Sequence, residues 1–206
     1  MSDDNPAALG RSRSIKAKRQ ESMIASSGPV SQAPSKSINA ILETDSQDES
    51  LIKYKLQLLG ITDFSELDMN QGQKAKLQLN KLTIYCANDN VTNHYTLDQL
   101  KSQPIHIKEG STFDIILDVR VFNDILLGLK YSHILKKMGI KVDSTTEMLG
   151  TVAPRKSDQE LKILGLHAPA GMLGKGKYGV HSALVCDDEV THMDWEWTLK
   201  IGSDWK

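Results

Sequence analysis

The residues of this chain that could do chemistry are few, and their spacing withholds most of it. Gly174-Lys175-Gly176-Lys177-Tyr178-Gly179-Val180 has the glycine density of a phosphate-cradling loop. Such a loop works when a helix follows, because the helix N-terminus aims its free N–H groups at the phosphate. Here the residues that follow alternate as a strand, and too little chain remains for a kinase-type catalytic domain. The segment reads as a glycine-rich turn feeding a strand. The six histidines, His94, His106, His133, His167, His181 and His192, show none of the close His/Cys spacings of a zinc site. Asp187, Asp188, Glu189 and Asp194 supply carboxylates without the loop spacing of a calcium site, so they read as a solvated acidic turn. No nucleophile elbow is present. The expectation is a protein with no catalytic residues, no bound metal and no cofactor.

The elements around these residues say more. Met193, Trp195, Trp197, Leu199 and Ile201 alternate with Asp194, Glu196, Thr198 and Lys200. A period of two with aromatic and branched side chains is a strand with one dry and one wet face. Two of the three tryptophans of the chain stand side by side on the dry face. They either fill a wide gap between two sheets or wall a cavity for something large and apolar.

A chain of 206 residues suggests one domain with appendages. The formal net charge of −1 gives no overall field toward nucleic acid or an anionic membrane. Basic residues are interspersed with acidic ones, and the aromatics follow dry faces, so no nucleic-acid groove is expected. No apolar run approaches the roughly 20 residues of a membrane helix. Polar residues follow Met1 where a secretory signal would be apolar. Cys86 and Cys186 each end an alternating run. An inter-sheet disulfide of the immunoglobulin kind places a Trp between its cysteines, and every Trp here follows Cys186. Both are expected as buried, reduced thiols of a cytosolic protein.

In chain order, residues 1–35 carry few large apolar side chains and are expected to be a disordered tail with a basic cluster at Arg11, Arg13, Lys16, Lys18 and Arg19. Residues 36–60 show two short amphipathic helices, one with Ile38, Ile41 and Leu42, the other with Leu51, Tyr54, Lys55 and Leu58. Asp48 or Ser50 can cap the second, and Gly60 can stop it. Neither is long enough to stand alone in water, so their apolar stripes need a surface. That surface is either their own domain or another protein. Residues 61–75 read as a linker. From about residue 76 the pattern is β throughout, in short runs such as Phe113, Ile115, Leu117, Val119 and Val121, separated by polar turns. This predicts an antiparallel sandwich or barrel over 76–206.

Several separated motifs resemble one family. His192-Met193-Asp194-Trp195-Glu196-Trp197 and the ending Ser203-Asp204-Trp205-Lys206 are similar to the end of the Rho GDP-dissociation inhibitors. So are Asp48-Glu49-Ser50-Leu51 with Lys53-Tyr54-Lys55, Lys108-Glu109-Gly110, Gly128-Leu129-Lys130-Tyr131, Met148-Leu149-Gly150 with Pro154-Arg155, and Ala168-Pro169-Ala170-Gly171-Met172-Leu173. Order and spacing agree from about residue 36 to 206.

The resemblance implies an immunoglobulin-like β-sandwich with a flexible, partly helical N-terminal arm. Its sheets part to hold the geranylgeranyl group of a GDP-bound, prenylated Rho-family GTPase, in a 1:1 complex in the cytosol without stable membrane insertion. Carried over by motif, the lipid pocket comprises Ile84, Ile105, Phe113, Ile125, Val180, Leu184, Trp195 and Trp197. The GTPase contacts comprise Ser37, Ile38, Ile41, Asp48, Ser50, Leu51 and Tyr54. The chain departs from the family pattern where Ile105 replaces a common Phe and Glu147 a common Tyr. An acidic pair that commonly faces the basic tail of the GTPase falls at Leu166-His167, leaving Asp187 and Asp188 as the substitute. The rival reading is a general prenyl-binding carrier without GTPase regulation, which has no need of the helix pair. A closed structural adaptor is a third.

Overall fold

A computed structural model describes residues 48–69, 76–171 and 174–205. The tail 1–35, and the first arm helix with Ser37, Ile38 and Ile41, lie outside the described residues.

Among the described residues, nine strands form two sheets. They are β1 (Leu77–Cys86), β2 (Val91–Tyr95), β3 (Ile105–Lys108), β4 (Thr112–Val121), β5 (Leu126–Lys137), β6 (Ile140–Val152), β7 (Gln159–His167), β8 (Gly176–Val185) and β9 (Thr191–Gly202). One sheet has the order β2-β1-β4-β7 and the other β3-β9-β8-β5-β6. This is the expected sandwich, with one difference: β3 pairs with β9 in parallel, Ile105 beside Leu199 and Ile107 beside Ile201.

That parallel pair has a local cause, which also corrects the expectation of strands throughout. Thr96 caps a short helix, Leu97–Ser102 (α2), through a reciprocal capping box with Gln99. The chain crosses from the edge strand of one sheet to the edge strand of the other through α2, which packs on β1, β2 and β9 and buries Leu100. The crossover closes one side of the sandwich. On the opposite side the edge strands β6 and β7 touch sparsely.

The dry faces meet as their alternation demands. Leu82 and Leu117 pair across β1 and β4, as do Ile84 and Ile115, and all four are fully buried. On β9, Trp195, Trp197, Leu199 and Ile201 are buried while Asp194, Glu196 and Lys200 are exposed. Both thiols are free and buried.

A helix, Glu49–Leu59 (α1), precedes the sandwich. The Asp48 carboxylate accepts from the N–H groups of Ser50 and Leu51, and Gly60 ends the helix at φ 61°, a conformation open to glycine. The segment after it is not the free linker its polarity suggests. Asp63 and Glu66 close a capping box around the 3-10 turn Phe64–Glu66. Ile61 and Leu67 are buried in a second small cluster with Leu56, Leu59, Phe64, Met69 and Ile125. Arg120 pairs with the buried Asp68 at 2.8 Å. Isolated apolar residues in a polar stretch gave no periodic signal, so this strap was invisible to pattern reading.

Candidate functional site

Registers across the second sheet stack the inner-facing residues in rows. Asp143, Leu135, Val180 and Trp197 form one row across β6, β5, β8 and β9. Thr145, His133, Ser182 and Trp195 form the next, and Glu147, Tyr131, Leu184 and Met193 the third. Opposite them stand Phe113 and Ile115 of β4 and the segment Leu164–His167 of β7. A cavity of about 310 Å³ lies between, on the side where β6 and β7 separate. Its floor is apolar and its outer rim on β6 carries the exposed Asp143 and Glu147. That volume is at the small end of the range for organic ligands.

Three expected pocket residues, Phe113, Val180 and Trp197, share this cavity with the neighbouring Ile115, which had not been singled out as a pocket residue. Ile84, Ile105, Leu184 and Trp195 are buried in the core behind it and do not line it. Ile125 sits elsewhere. It is half-buried in the strap cluster beyond the far end of β4 from Phe113.

Polar groups support the floor. Trp197 Nε1 donates to Ser182 Oγ at 3.0 Å, and Ser182 Oγ lies 3.0 Å from the Tyr131 hydroxyl. Burial pushes the Tyr131 phenol far above its ordinary range, so it stays neutral and serves as a hydrogen-bonding group only. His133 lines the cavity with Nδ1 buried and without a hydrogen-bond partner. Burial holds its pKa below the usual value, opposed in part by the Asp143 carboxylate. A neutral imidazole keeps the wall uncharged, as an apolar ligand requires. Alternation placed His133 on a strand but gave no sign that it faced a cavity.

The second candidate surface is α1. Ile52, Leu56 and Leu59 lie toward the strap and are half-buried. Of the stripe read from sequence, Leu51, Tyr54 and Leu58 are exposed, Tyr54 by 58% and Leu58 by 66%, while Lys55 is half-buried. The foot of the helix is tied to the sandwich by Arg155, whose Nη2 donates to the carbonyls of Leu59 and Gly60 at 2.7 and 2.6 Å. Hydrogen bonding by Ser50 and by the helix N–H groups lowers the pKa of Asp48, so the cap is anionic.

Asp187 and Asp188 occupy the β8–β9 turn, where Asp187 pairs with Lys130 at 2.7 Å. The turn lies beyond the Val185 end of β8, and neither carboxylate lines the cavity. The acidic groups at the cavity are Asp143 and Glu147. In the same turn Cys186, Asp188 and His192 bring ligand-type atoms within 4.8 Å of one another. Linear spacing concealed this grouping, which the hairpin creates. Burial pushes the Cys186 thiol up to about 11, so the free thiol is protonated at neutral pH and a poor nucleophile.

Among the described residues, no helix is long and apolar enough to cross a membrane. A family described as "RHO protein GDP dissociation inhibitor" matches residues 14–204. Human Rho GDP-dissociation inhibitor 1 is 36% identical over 177 residues, 83% of this chain and 84% of that protein. The probable rho GDP-dissociation inhibitor of Caenorhabditis elegans is 33% identical, covering 82% and 90%, and that of Schizosaccharomyces pombe 31%, covering 86% and 88%. A Niemann-Pick type C2 protein from Japanese carpenter ant superposes with a TM-score of 0.42 and 9% identity over 66% of this chain and 99% of that one, too distant to bear on function. With a family match spanning nearly all of its length and relatives this similar, the chain belongs to the Rho GDP-dissociation inhibitor family.

Proposed function

We propose that this protein binds GDP-bound, prenylated Rho-family GTPases one to one, slows their GDP release, withdraws them from membranes and keeps them in the cytosol. It acts by binding and regulation, with no catalytic step of its own. The observation that carries the reading is the apolar cavity floored by Leu135, Val180 and Trp197, open at the unpaired seam between β6 and β7. A geranylgeranyl chain entering there meets Phe113 and Ile115 on the opposing sheet. Because Ile84, Ile105, Leu184 and Trp195 form the layer behind, a longer chain reaches them when the sheets part further.

The energetics assign separate tasks to pocket and arm. Burying a CH₂ group is worth roughly 0.8 kcal/mol against water whether the host is a bilayer or a protein. The pocket therefore cancels most of the cost of leaving the membrane without supplying a large net drive. The exposed stripe Leu51, Tyr54 and Leu58, with the anionic Asp48 at the helix head, supplies contacts that a bilayer cannot. Docking α1 on the loops that close over GDP would hold them shut, which is how release slows. A general prenyl carrier has no use for such a stripe, and the arm favours the regulatory reading.

The deciding experiment is a pull-down of purified Rho-family GTPases with and without the lipid. The lipidated, GDP-loaded form should be retained strongly and the unmodified form weakly. Equal retention of both would remove the pocket from the reading, and strong retention of unrelated prenylated proteins would favour the carrier.

A further inference from the structure

The β5–β6 hairpin stands out from the rest of the surface. Its tip, Met138-Gly139, has φ values of 52° and 83°, the two left-handed residues of a tight hairpin turn. Met138 is 94% exposed, Ile140 70% and Val142 50%. Scattered exposed apolar residues need no explanation, but three within five positions on a rigid projection do.

Charge at the same place adds a second observation. Lys136 and Lys141 are direct cross-strand partners at this tip. Lys177 and Lys200 are direct cross-strand partners at the same end of the same sheet. Like charges directly opposite one another weaken a sheet. Two such pairs side by side are a standing internal cost, which an external anionic surface would relieve. The Gly174–Val180 segment is part of this end: the Lys137 ammonium lies over the Tyr178 ring at 4.9 Å and donates to the Lys175 carbonyl. Among the carboxylates nearby, Glu109 is taken by Lys175 at 2.9 Å, Asp143 faces the cavity, and Asp194 and Glu196 line a surface groove with Lys136 further along the sheet from the tip.

We propose that this hairpin seats on an anionic phospholipid bilayer, its apolar tip in the headgroup layer and its lysine pairs on the lipid phosphates and carboxylates. Apolar side chains ringed by lysine are the composition of interfacial anchors, and each lysine near an anionic surface adds attraction. The position gives the contact a use that rests on the prenyl-binding reading. Leu135 and Asp143, which line the cavity, are cross-strand partners close behind the tip. A seated hairpin brings the cavity up to the bilayer surface, so an isoprenoid passes from lipid to protein along a short path.

The test is flotation of the full chain with vesicles of phosphatidylcholine alone and of phosphatidylcholine with phosphatidylserine. The chain should float with the anionic vesicles only, and less at high salt. Lys136→Ala/Lys141→Ala and Met138→Ser/Ile140→Ser should each weaken association by roughly an order of magnitude. The lysine variant should melt no lower than the parent, since it removes a repulsion. Absence of flotation with anionic vesicles, or unchanged flotation of both variants, overturns the proposal. Binding of a fluorescent prenyl-cysteine peptide, measured alongside, should be unaffected by either variant. Its failure in every chain would instead remove the prenyl reading and leave the vesicle result standing alone.

Discussion

Filling the cavity from its rim should abolish lipid binding without disturbing the fold. Thr145 lies half-exposed on the edge strand β6, opposite His133, and faces the cavity. In Thr145→Trp the indole has open space on one side and the cavity of about 310 Å³ on the other. Burying its ring there is the favourable choice, against Phe113 and Trp197. An indole in that place displaces about one isoprene unit, five carbons at roughly 0.8 kcal/mol each, or about 4 kcal/mol and a thousandfold in affinity. The cost to folding is small, because the site is at an edge and aromatic residues suit strands. The neighbouring Thr146→Trp is the control: it is exposed and does not line the cavity. The assay is titration with a fluorescent geranylgeranyl-cysteine peptide, with thermal melts of all three chains. Thr145→Trp should lose saturable binding and Thr146→Trp keep it, at similar melting temperatures. If the Thr145 variant binds as the parent does, this cavity is not the lipid site.

Other outcomes follow from individual residues. Asp48→Ala removes the carboxylate that caps α1 and should weaken inhibition of GDP release while leaving prenyl-peptide affinity unchanged, checked by release kinetics of a fluorescent nucleotide. Arg155→Ala removes both bonds to the foot of α1, at a cost of about 2 kcal/mol to that local docking, and hydrogen exchange should quicken at residues 56–61 while the sandwich stays protected. Acid should act through His133. Its folded pKa is depressed, so between about pH 6.5 and the folded value the unfolded chain binds the extra proton, and stability present above that window is lost as pH falls through it. A lipid that buries the imidazole further should show the same direction of pH dependence in its affinity, and His133→Gln should flatten both curves.

How much could be read in advance depended on whether a feature leaves a periodic trace. The dry face of β9 did, because each inward residue from Met193 to Ile201 follows the strand period. The cap and stop of α1 did, because Asp48 and Gly60 have local physical reasons to be there. The stripe Leu51, Tyr54 and Leu58 was visible too, and the structure leaves it facing outward. The strap was not, since Ile61 and Leu67 are buried by tertiary contact with no repeat around them. Nor was α2: six residues carry less than two helical turns, and only its Thr96–Gln99 box could have disclosed it. Pocket membership was half legible. Alternation says which residues point inward, but which of those meet a cavity depends on where the two sheets diverge. The carry-over by motif grouped Trp195 and Ile84 with Trp197 and Phe113, and neither it nor alternation marked His133.

The placement of the two sites along β4 constrains how a partner can sit. Phe113, at the start of that strand, is in the cavity wall, while Val121 ends it near Phe122 and Ile125, where the strap and the foot of α1 pack. Val121 lies eight residues along the strand from Phe113 and six from Ile115, which also lines the cavity, a separation of roughly 20 to 27 Å. The turn bearing Asp187 and Asp188 lies at the α1 end, since the Asp187 N–H bonds to the Leu127 carbonyl. If a GTPase docks on α1 as proposed, its folded body would meet that acidic turn, and its lipid would have to reach the other end on an extended tail. Such a tail would need at least about six to eight residues to span the gap. The acidic groups it would find on arrival are Asp143 and Glu147, at the rim of the cavity. Because Arg155 and the strap hold the foot of α1 in place, the two sites are offered at a set separation. If both sites act as proposed, that would spare part of the ordering cost a free linker would impose, and capture of the lipid would raise the effective concentration of the GTPase at the arm.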